Sequence, residues 1–256
     1  MKKIEESRKQ EFLNYYNQGL NDYEIAKLMS ISDSTTFRWR KGFGLPPMRT
    51  KPSLRVKETI PTEEQLQILT GTLLGDSCLQ YYPKYGWSAP KFKCDHGVAQ
   101  KEYAVLLDNK LKSLGSKLNS YSRIDKRRNV EQTSYTVTTG SNQYFHKIYN
   151  LLYNTGKKEV CREVLEHFTE ISLAYLYMDD GCFHQGTADI CTEGFSRKSV
   201  ELLVVFFEEK FNLHFGLSKR NKGYRMRLHR KEFSKFRELI NPYVIDSLKY
   251  KLGTAS

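Results

Sequence analysis

The sequence has no Cys-x-x-Cys pair, and its five cysteines (Cys78, Cys94, Cys161, Cys182 and Cys191) are an odd number. Neither a zinc ribbon nor a secreted disulfide frame is indicated, so a reducing compartment is expected. Long hydrophobic runs are missing too. The longest, LLVVFF (Leu202 to Phe207) and the stretch from Ile171 to Met178, fall far short of the roughly 20 residues that a membrane-spanning helix needs. The opening MKKIEESRKQEF has basic residues with no apolar stretch behind them, which excludes a secretory signal. A soluble, intracellular protein is expected, neither secreted nor held by a membrane. Acidic residues are absent from two segments: Arg38 to Lys57 holds seven Lys or Arg and no acid, and so does Lys219 to Lys231. In a chain of 256 residues with formal net charge +12, positive charge gathered in this way suits a polyanion, most often nucleic acid.

Residues 9 to 41 read as three short helices: Lys9 to Gln18 closed by Gly19, Asp22 to Met29 with Asp22 as cap, and Ser32 or Asp33 to Lys41. Ile25, Ala26, Leu28, Met29, Ile31 and Trp39 sit at spacings that let the second and third helices cross through a tight turn. The pattern EIAKLMSISDSTTFRWRK resembles a helix-turn-helix, with Ser30 where glycine is common and Thr36 where an aliphatic residue is common. The resemblance implies a third helix in the major groove, with Ser34, Thr35, Arg38 and Phe37 facing base edges and Arg40 and Lys41 touching phosphate. Residues 1–45 are thus expected to form a small all-α DNA-binding domain. The next stretch, through Pro61, holds four prolines and no apolar periodicity, so 46–61 is expected to be an extended, basic linker.

The rest of the chain repeats itself. LTGTLLGDSCLQ (Leu69 to Gln80) aligns with LAYLYMDDGCFH (Leu173 to His184), joining Leu69 to Leu173, Asp76 to Asp180 and Cys78 to Cys182. The echo continues with Cys94, Gly97 and Lys101 over Cys191, Gly194 and Lys198, then with Phe145, Ile148 and Asn150 over Phe236, Leu239 and Asn241. Three anchors in one order indicate duplication. Each copy reads as helix, two strands, helix, two strands, helix. The helices fall at about 62–75, 100–114 and 141–154, then at about 169–179, 196–211 and 231–241. The strands alternate: in Gly223 to Arg230, Tyr224, Met226 and Leu228 point one way and Arg225, Arg227 and His229 the other, and PKFKCD sets Lys91, Lys93 and Asp95 against Phe92 and Cys94. A sheet with one oily face and one basic face can rest on helices and lay its other side in a DNA groove. Solvated faces usually mix signs, and Lys219 to Lys231 does not.

LTGTLLGDS and LAYLYMDDG resemble the two copies of the motif that names the LAGLIDADG homing endonucleases, and FHQGTADICTEGFS and PYVIDSLKYKL resemble the single-chain, intron-encoded branch of that family. The similarity runs from about Thr62 to Leu252, and two copies at matching places in a duplicated frame make a specific signal. There are departures. Ser77 stands at the final glycine position of the first copy and Tyr175 at the internal glycine position of the second, while Gly71-x-x-x-Gly75 survives. The resemblance implies an α+β class: a pseudo-twofold duplicated αββαββα fold over 62–256 with saddle-shaped antiparallel sheets, preceded by the helix-turn-helix domain. The halves would be about 62–160 and 161–256, and the chain a monomer.

Packing the motif helices side by side, as the family does, brings Asp76 and Asp180 together at the helix ends. Two carboxylates there repel, and helix C-termini add negative potential, so the site should recruit divalent cations. Oxygen ligands with room for water favour Mg²⁺, with Mn²⁺ as substitute. The backbone carbonyls of Gly75 and Asp179 are further expected metal ligands, with the Asp179 side chain capping or turning the chain. The family also implies a basic side chain near the end of each copy, and Lys158 and Lys251 occupy those places. Metal between the carboxylates activates water, steadies the leaving 3′ oxygen and offsets charge on phosphate. The implied activity is Mg²⁺-dependent cleavage of both strands of double-stranded DNA at a long asymmetric target, leaving 3′ overhangs. Candidate DNA contacts on the sheets are Lys91, Lys93, Arg123, Thr136, Thr138, Lys219, Arg225, Arg227 and His229. Two other functions stay open: a group I intron maturase, for which intron RNA would be the partner, and a non-catalytic transcription regulator of the same fold. Retention of Asp76 and Asp180 speaks against the regulator.

Overall fold

The computed structural model describes residues 2–48, 58–125 and 130–253. The chain divides into two compact units, Met1–Val56 and Lys57–Ser256. Most of the linker expected at 46–61, with its basic residues Arg49, Lys51, Arg55 and Lys57, lies outside the described residues.

The first unit holds three helices, α1 (Lys2–Asn17), α2 (Asp22–Met29) and α3 (Asp33–Gly42). Asn21, and not Asp22, caps α2. Its side-chain oxygen accepts the N–H groups of Tyr23 and Glu24, while the Glu24 carboxylate accepts the N–H of Asn21, closing a capping box. Ser30 ends the helix in the left-handed region, φ 54°, the conformation for which glycine is common there. Phe12, Tyr16, Ile25 and Met29 form the core, with Ile31 and Trp39 packed against it. Fully burying a side chain such as Phe12 or Ile25 stabilises by about 1.5–3 kcal/mol. Leu28, expected among the crossing residues, is instead 57 % exposed. Thr36 is fully buried without an aliphatic chain, because its hydroxyl donates to the Asp22 and Asp33 carbonyls.

The second unit repeats one layout twice. The first copy runs α4 (Glu63–Leu74), β1 (Cys78–Gln80), β2 (Lys91–Gly97), α5 (Lys101–Lys110), β3 (Lys117–Asp125), β4 (Val130–Thr138) and α6 (Phe145–Tyr153). The second runs α7 (Glu170–Asp180), β5 (Gly181–His184), β6 (Thr187–Ile190), α8 (Arg197–Phe211), β7 (Phe215–Arg220), β8 (Gly223–Leu228) and α9 (Phe233–Ile240). Both four-stranded sheets are antiparallel with the same order, β1-β2-β4-β3 and β5-β6-β8-β7. The duplicated αββαββα frame read from the sequence is therefore present element by element.

The two motif helices pack on each other at the centre of one continuous core. α7 is buried at every position from Ser172 to Asp179, as a helix that is apolar all round must be. Contact is closest where α4 has glycine: a Cβ on Gly71 would sit 2.3 Å from the Ser172 carbonyl oxygen. Tyr175, at the position where the family motif has glycine, does not prevent this approach; its ring lies 6.0 Å from that of Tyr103. The Thr70 and Thr72 hydroxyls are buried on α4 and donate to carbonyls one turn back, to Leu66 and to Ile68. Outside the helices, Asn142 holds Thr59 through two hydrogen bonds and fixes the start of the unit. Among the described residues no helix is long and apolar enough to cross a membrane, and all five cysteines are free.

Candidate active site

α4 stops at Leu74, so Gly75 and Asp76 lie beyond its last turn, whereas α7 continues through Asp180. The two ends are joined directly: the Asp76 N–H donates to Asp179 Oδ2 at 3.2 Å. A Cβ on Gly75 would lie 2.5 Å from both Cβ and Oδ2 of Asp179, so the missing side chain of one motif is the space occupied by a carboxylate of the other. This corrects the expectation that Asp179 caps or turns the chain. Its side chain is buried at the helix interface, 8 % exposed, with the Tyr103 hydroxyl facing it. Burial first, then the charge of Asp76, holds this carboxyl well above the usual carboxylate range. Asp180 is pushed up to about 6, again by burial and then by Asp76. The fold thus gathers three carboxyl groups whose charges act on each other.

Two lysines close the group. Lys158 Nζ donates to the carbonyls of Gly75 at 3.3 Å and Ser77 at 2.8 Å. Lys251 Nζ donates to those of Met178 at 2.6 Å and Asp179 at 3.1 Å. Each ammonium therefore sits at the carbonyl end of one motif helix, where cations are favoured, and touches a carbonyl expected to bind metal. Burial lowers the pKa of both lysines. The backbone of Lys251 is anchored in turn by the Tyr177 hydroxyl, which donates to its carbonyl at 2.7 Å. Beside Asp180 an open cleft of about 360 Å³ is lined by Gly75, Lys158, Cys191, Glu193 and Phe195.

One residue of the group was missed in the sequence. His96 is 2 % exposed, and donor atoms of Asp76, His96 and Asp179 all lie within 4.8 Å of one another. The repeat offered no signal for it: the sequence anchors set His96 over Glu193, but the strand register sets it over Thr192.

This geometry accompanies a match of residues 66–236 to the LAGLIDADG DNA endonuclease family. The chain belongs to that family. A homeodomain-like domain matches residues 3–49. The chain is similar to a probable intron-encoded endonuclease of Wickerhamomyces canadensis, 30 % identical over 128 residues that cover 45 % of this chain and 55 % of that protein. It therefore spans only about half the length of that relative. It is also similar to the DNA endonuclease I-ChuI of Chlamydomonas applanata, 29 % identical over 212 residues, 75 % of this chain and 95 % of that one. Among solved structures, the homing endonuclease I-WcaI bound to its DNA recognition sequence superposes with a TM-score of 0.69 at 24 % identity, covering 76 % of this chain and 88 % of that chain. That likeness shows the LAGLIDADG fold.

On the LAGLIDADG sheets, the outward residues of β2 and β8 alternate with buried ones as expected. The faces nevertheless mix signs. Lys93 pairs with Asp95 at 2.5 Å, and Thr136 donates its hydroxyl to the same carboxylate and is only 8 % exposed. Arg225 pairs with Glu193 at 2.6 Å, and Arg227 holds Asp189 through two nitrogens at 2.7 and 2.8 Å. The acids that balance this basic stretch come from β6 and the loop after it, which a window along one strand does not include. Arg123, Lys219 and His229 are exposed, and Lys91 and Thr138 half-buried; Lys91 Nζ lies over the Trp87 ring, 4.7 Å from its centre. In the first unit Ser34, Phe37, Arg38 and Lys41 are exposed and Thr35 half-buried. Arg40, expected on phosphate, is 6 % exposed and bound to Asp22 at 2.8 Å and to the Leu45 carbonyl at 3.1 Å. Because Asn21 provides the cap, Asp22 is available for this internal pair.

Proposed function

We propose that this chain is a site-specific DNA endonuclease that hydrolyses both strands of a long asymmetric duplex with Mg²⁺, acting as a monomer because one chain supplies both motif copies. The observation that carries this reading is the contact of Asp76 with Asp179 at the ends of α4 and α7, with Asp180 next in the chain and the charge of Asp76 raising both. The residues fit a divalent cation. Carboxylates held together at the negative ends of two helices repel unless a cation is present, and the buried Asp179 carboxyl draws on the Tyr103 hydroxyl and the Asp76 N–H as donors. Asp76, Asp180 and the carbonyls of Gly75 and Asp179 would hold the ion, with Mn²⁺ as a substitute. When bound, it would polarise the scissile phosphate and lower the pKa of water.

The protein groups have separate tasks. Asp76 and Asp180 fix the centre between the lobes. Lys158 and Lys251, already at the helix ends, place positive charge where the phosphate becomes more negative. The exposed cations Arg123, Lys219 and Lys91, with His229, are the contacts along the DNA, and Arg38 and Lys41 extend the footprint through the first unit. Arg225, Arg227 and Lys93 are held by acids, which fixes their heads in position to read bases.

The test is incubation of the protein with Mg²⁺ and a plasmid library carrying intronless insertion sites. A defined double-strand break with 3′ overhangs is expected, and Asp76→Asn or Asp180→Asn abolishes it. The absence of any defined break, or cleavage by both variants at the parent rate, refutes the reading. Metal-independent binding to intron RNA without DNA cleavage would move the assignment to a maturase.

A further inference from the structure

The two ends of the centre are chemically unlike. Beside Asp180 the cleft is lined by Glu193, a carboxylate held by Arg225 at 2.6 Å, while the strand register gives Thr192 the place of His96. Beside Asp76 the nearby donor is His96, an imidazole. Among the described residues, Asp76, His96 and Asp179 bring their donor atoms within 4.8 Å of one another. Donors on a common ion at about 2.0–2.2 Å are at most about 4.4 Å apart, so small side-chain shifts close the three on one cation.

Each donor is prepared for that role. Asp179 is 8 % exposed, and the side-chain donor facing it is the buried Tyr103 hydroxyl. That hydroxyl and the Asp76 N–H leave the carboxylate with lone-pair sites to spare. Gln100 Oε1 lies 3.4 Å from His96 Nδ1, the outer contact that orients a ligating imidazole and leaves Nε2 as the lone-pair donor. The Cys94 thiol, kept neutral by burial, donates to that Nε2 at 3.1 Å, so an ion would take the place of this weak hydrogen bond. Asp76 is exposed and gives access from solvent.

We infer that the Asp76 end of the centre is a mixed nitrogen and oxygen site, in which His96, Asp179 and Asp76 bind a borderline divalent ion such as Mn²⁺, Co²⁺ or Zn²⁺ in preference to Mg²⁺. Imidazole suits these ions, while carboxylate and water suit Mg²⁺. This deepens the endonuclease reading and rests on it for the role of Asp76. An ion held by His96 draws the Asp76 carboxylate inward, toward the first sheet, so the two ends differ in metal preference.

The test reads coordination and not cleavage, so it stands or falls separately from nuclease activity. The full chain is loaded with one equivalent of Mn²⁺ and examined by electron spin echo envelope modulation for coupling to a histidine nitrogen. Coupling is expected in the parent and in Asp180→Asn, and is lost in His96→Gln. No nitrogen coupling in the parent overturns the inference, as does coupling that persists in His96→Gln. Because His96→Gln alters a buried site, Asp179→Asn provides a second reading: by titration calorimetry it weakens Co²⁺ binding at least tenfold, and unchanged Co²⁺ affinity overturns the inference.

Discussion

Gly75 and Asp179 fit into each other across the two motif copies: the position a Cβ would take on Gly75 is 2.5 Å from the Asp179 carboxylate and its Cβ. A substitution at Gly75 therefore acts first on the acid that lies between the helices. Gly75→Ala is expected to destabilise by about 1–3 kcal/mol through overpacking. Combining it with Asp179→Ala, which empties the opposing space, is expected to recover part of that loss, because contacting sites are non-additive. Denaturant unfolding of the two single variants and the double variant measures the coupling. Additive losses would show that the two residues do not share this space.

Gly71 makes a harder contact, since its neighbour is the Ser172 backbone and not a side chain. Alanine in place of a mid-helix glycine usually gains up to about 1 kcal/mol in helix propensity. Here a Cβ 2.3 Å from a carbonyl oxygen forces the helices apart, and overpacking of about 1–3 kcal/mol wins. Gly71→Ala is expected to lower the melting temperature by about 2–4 °C per kcal/mol lost. A raised melting temperature would mean that the helices separate freely at this point.

The carboxyl of Asp180 titrates near 6, above its ordinary value of 3.8, because the fold favours its neutral form. A raised carboxyl pKa works against the folded state once the group ionises. The contribution is absent at the acid end, grows as pH rises from about 4 to about 6, and is constant above. Metal-free protein is therefore expected to lose stability across that window, and Asp180→Asn to lose less, the difference between the two curves isolating this residue. Cleavage runs the opposite way. Holding a cation needs the ionised carboxylate, so at subsaturating metal the rate should rise with pH toward about 6, and saturating metal should move that rise to lower pH. Parallel stability curves for parent and variant would place the titration elsewhere.

Arg38 and Arg40 are two residues apart on α3 and have different expected effects. Arg40 is buried against Asp22, and removing one member of such a pair leaves the other uncompensated. Arg40→Gln should unfold the first unit more readily, seen as faster amide exchange over residues 22–42, together with weaker DNA binding. Arg38 is exposed. If it meets the duplex, Arg38→Ala leaves exchange unchanged and flattens the salt dependence of DNA binding by about one unit of slope only where it contacts phosphate. A purely base-edge contact would instead relax sequence preference at constant slope.

Elements, their order and the duplication were legible in the sequence because they depend on local periodicity and on anchors such as Asp76 over Asp180. What was not legible depends on partners far away in the chain. Asp179 resembles a turn residue until Gly75, in the other copy, is seen to leave space for it. Arg225 and Arg227 resemble free cations until β6 and the loop after it bring Asp189 and Glu193 beside them. His96 falls on the inward side of β2, on the same face as the buried Phe92 and Cys94, where alternation alone assigns a residue to the core. Asp22 looked like a cap because the residue before it was equally able to be one, and only the observed hydrogen bonds of Asn21 decide between them.

Lys158 and Lys251 reach the ends of different motif helices, through Gly75 and Ser77 in one case and Met178 and Asp179 in the other. If each serves the phosphate nearest its own helix, the two strands depend on different lysines. Methionine keeps most of the buried alkyl stem while removing the charge, so Lys158→Met and Lys251→Met should fold. Losing one preorganised charge at a developing oxyanion costs about 10²- to 10³-fold in rate, and that cost should fall on one strand. On supercoiled plasmid carrying the target, each variant is expected to accumulate nicked circles, with the nick on opposite strands in the two variants, while DNA affinity stays close to the parent's. Linear product at the parent rate would remove the lysines from the chemistry, and equal slowing of both strands by either variant would show that they act on a shared step.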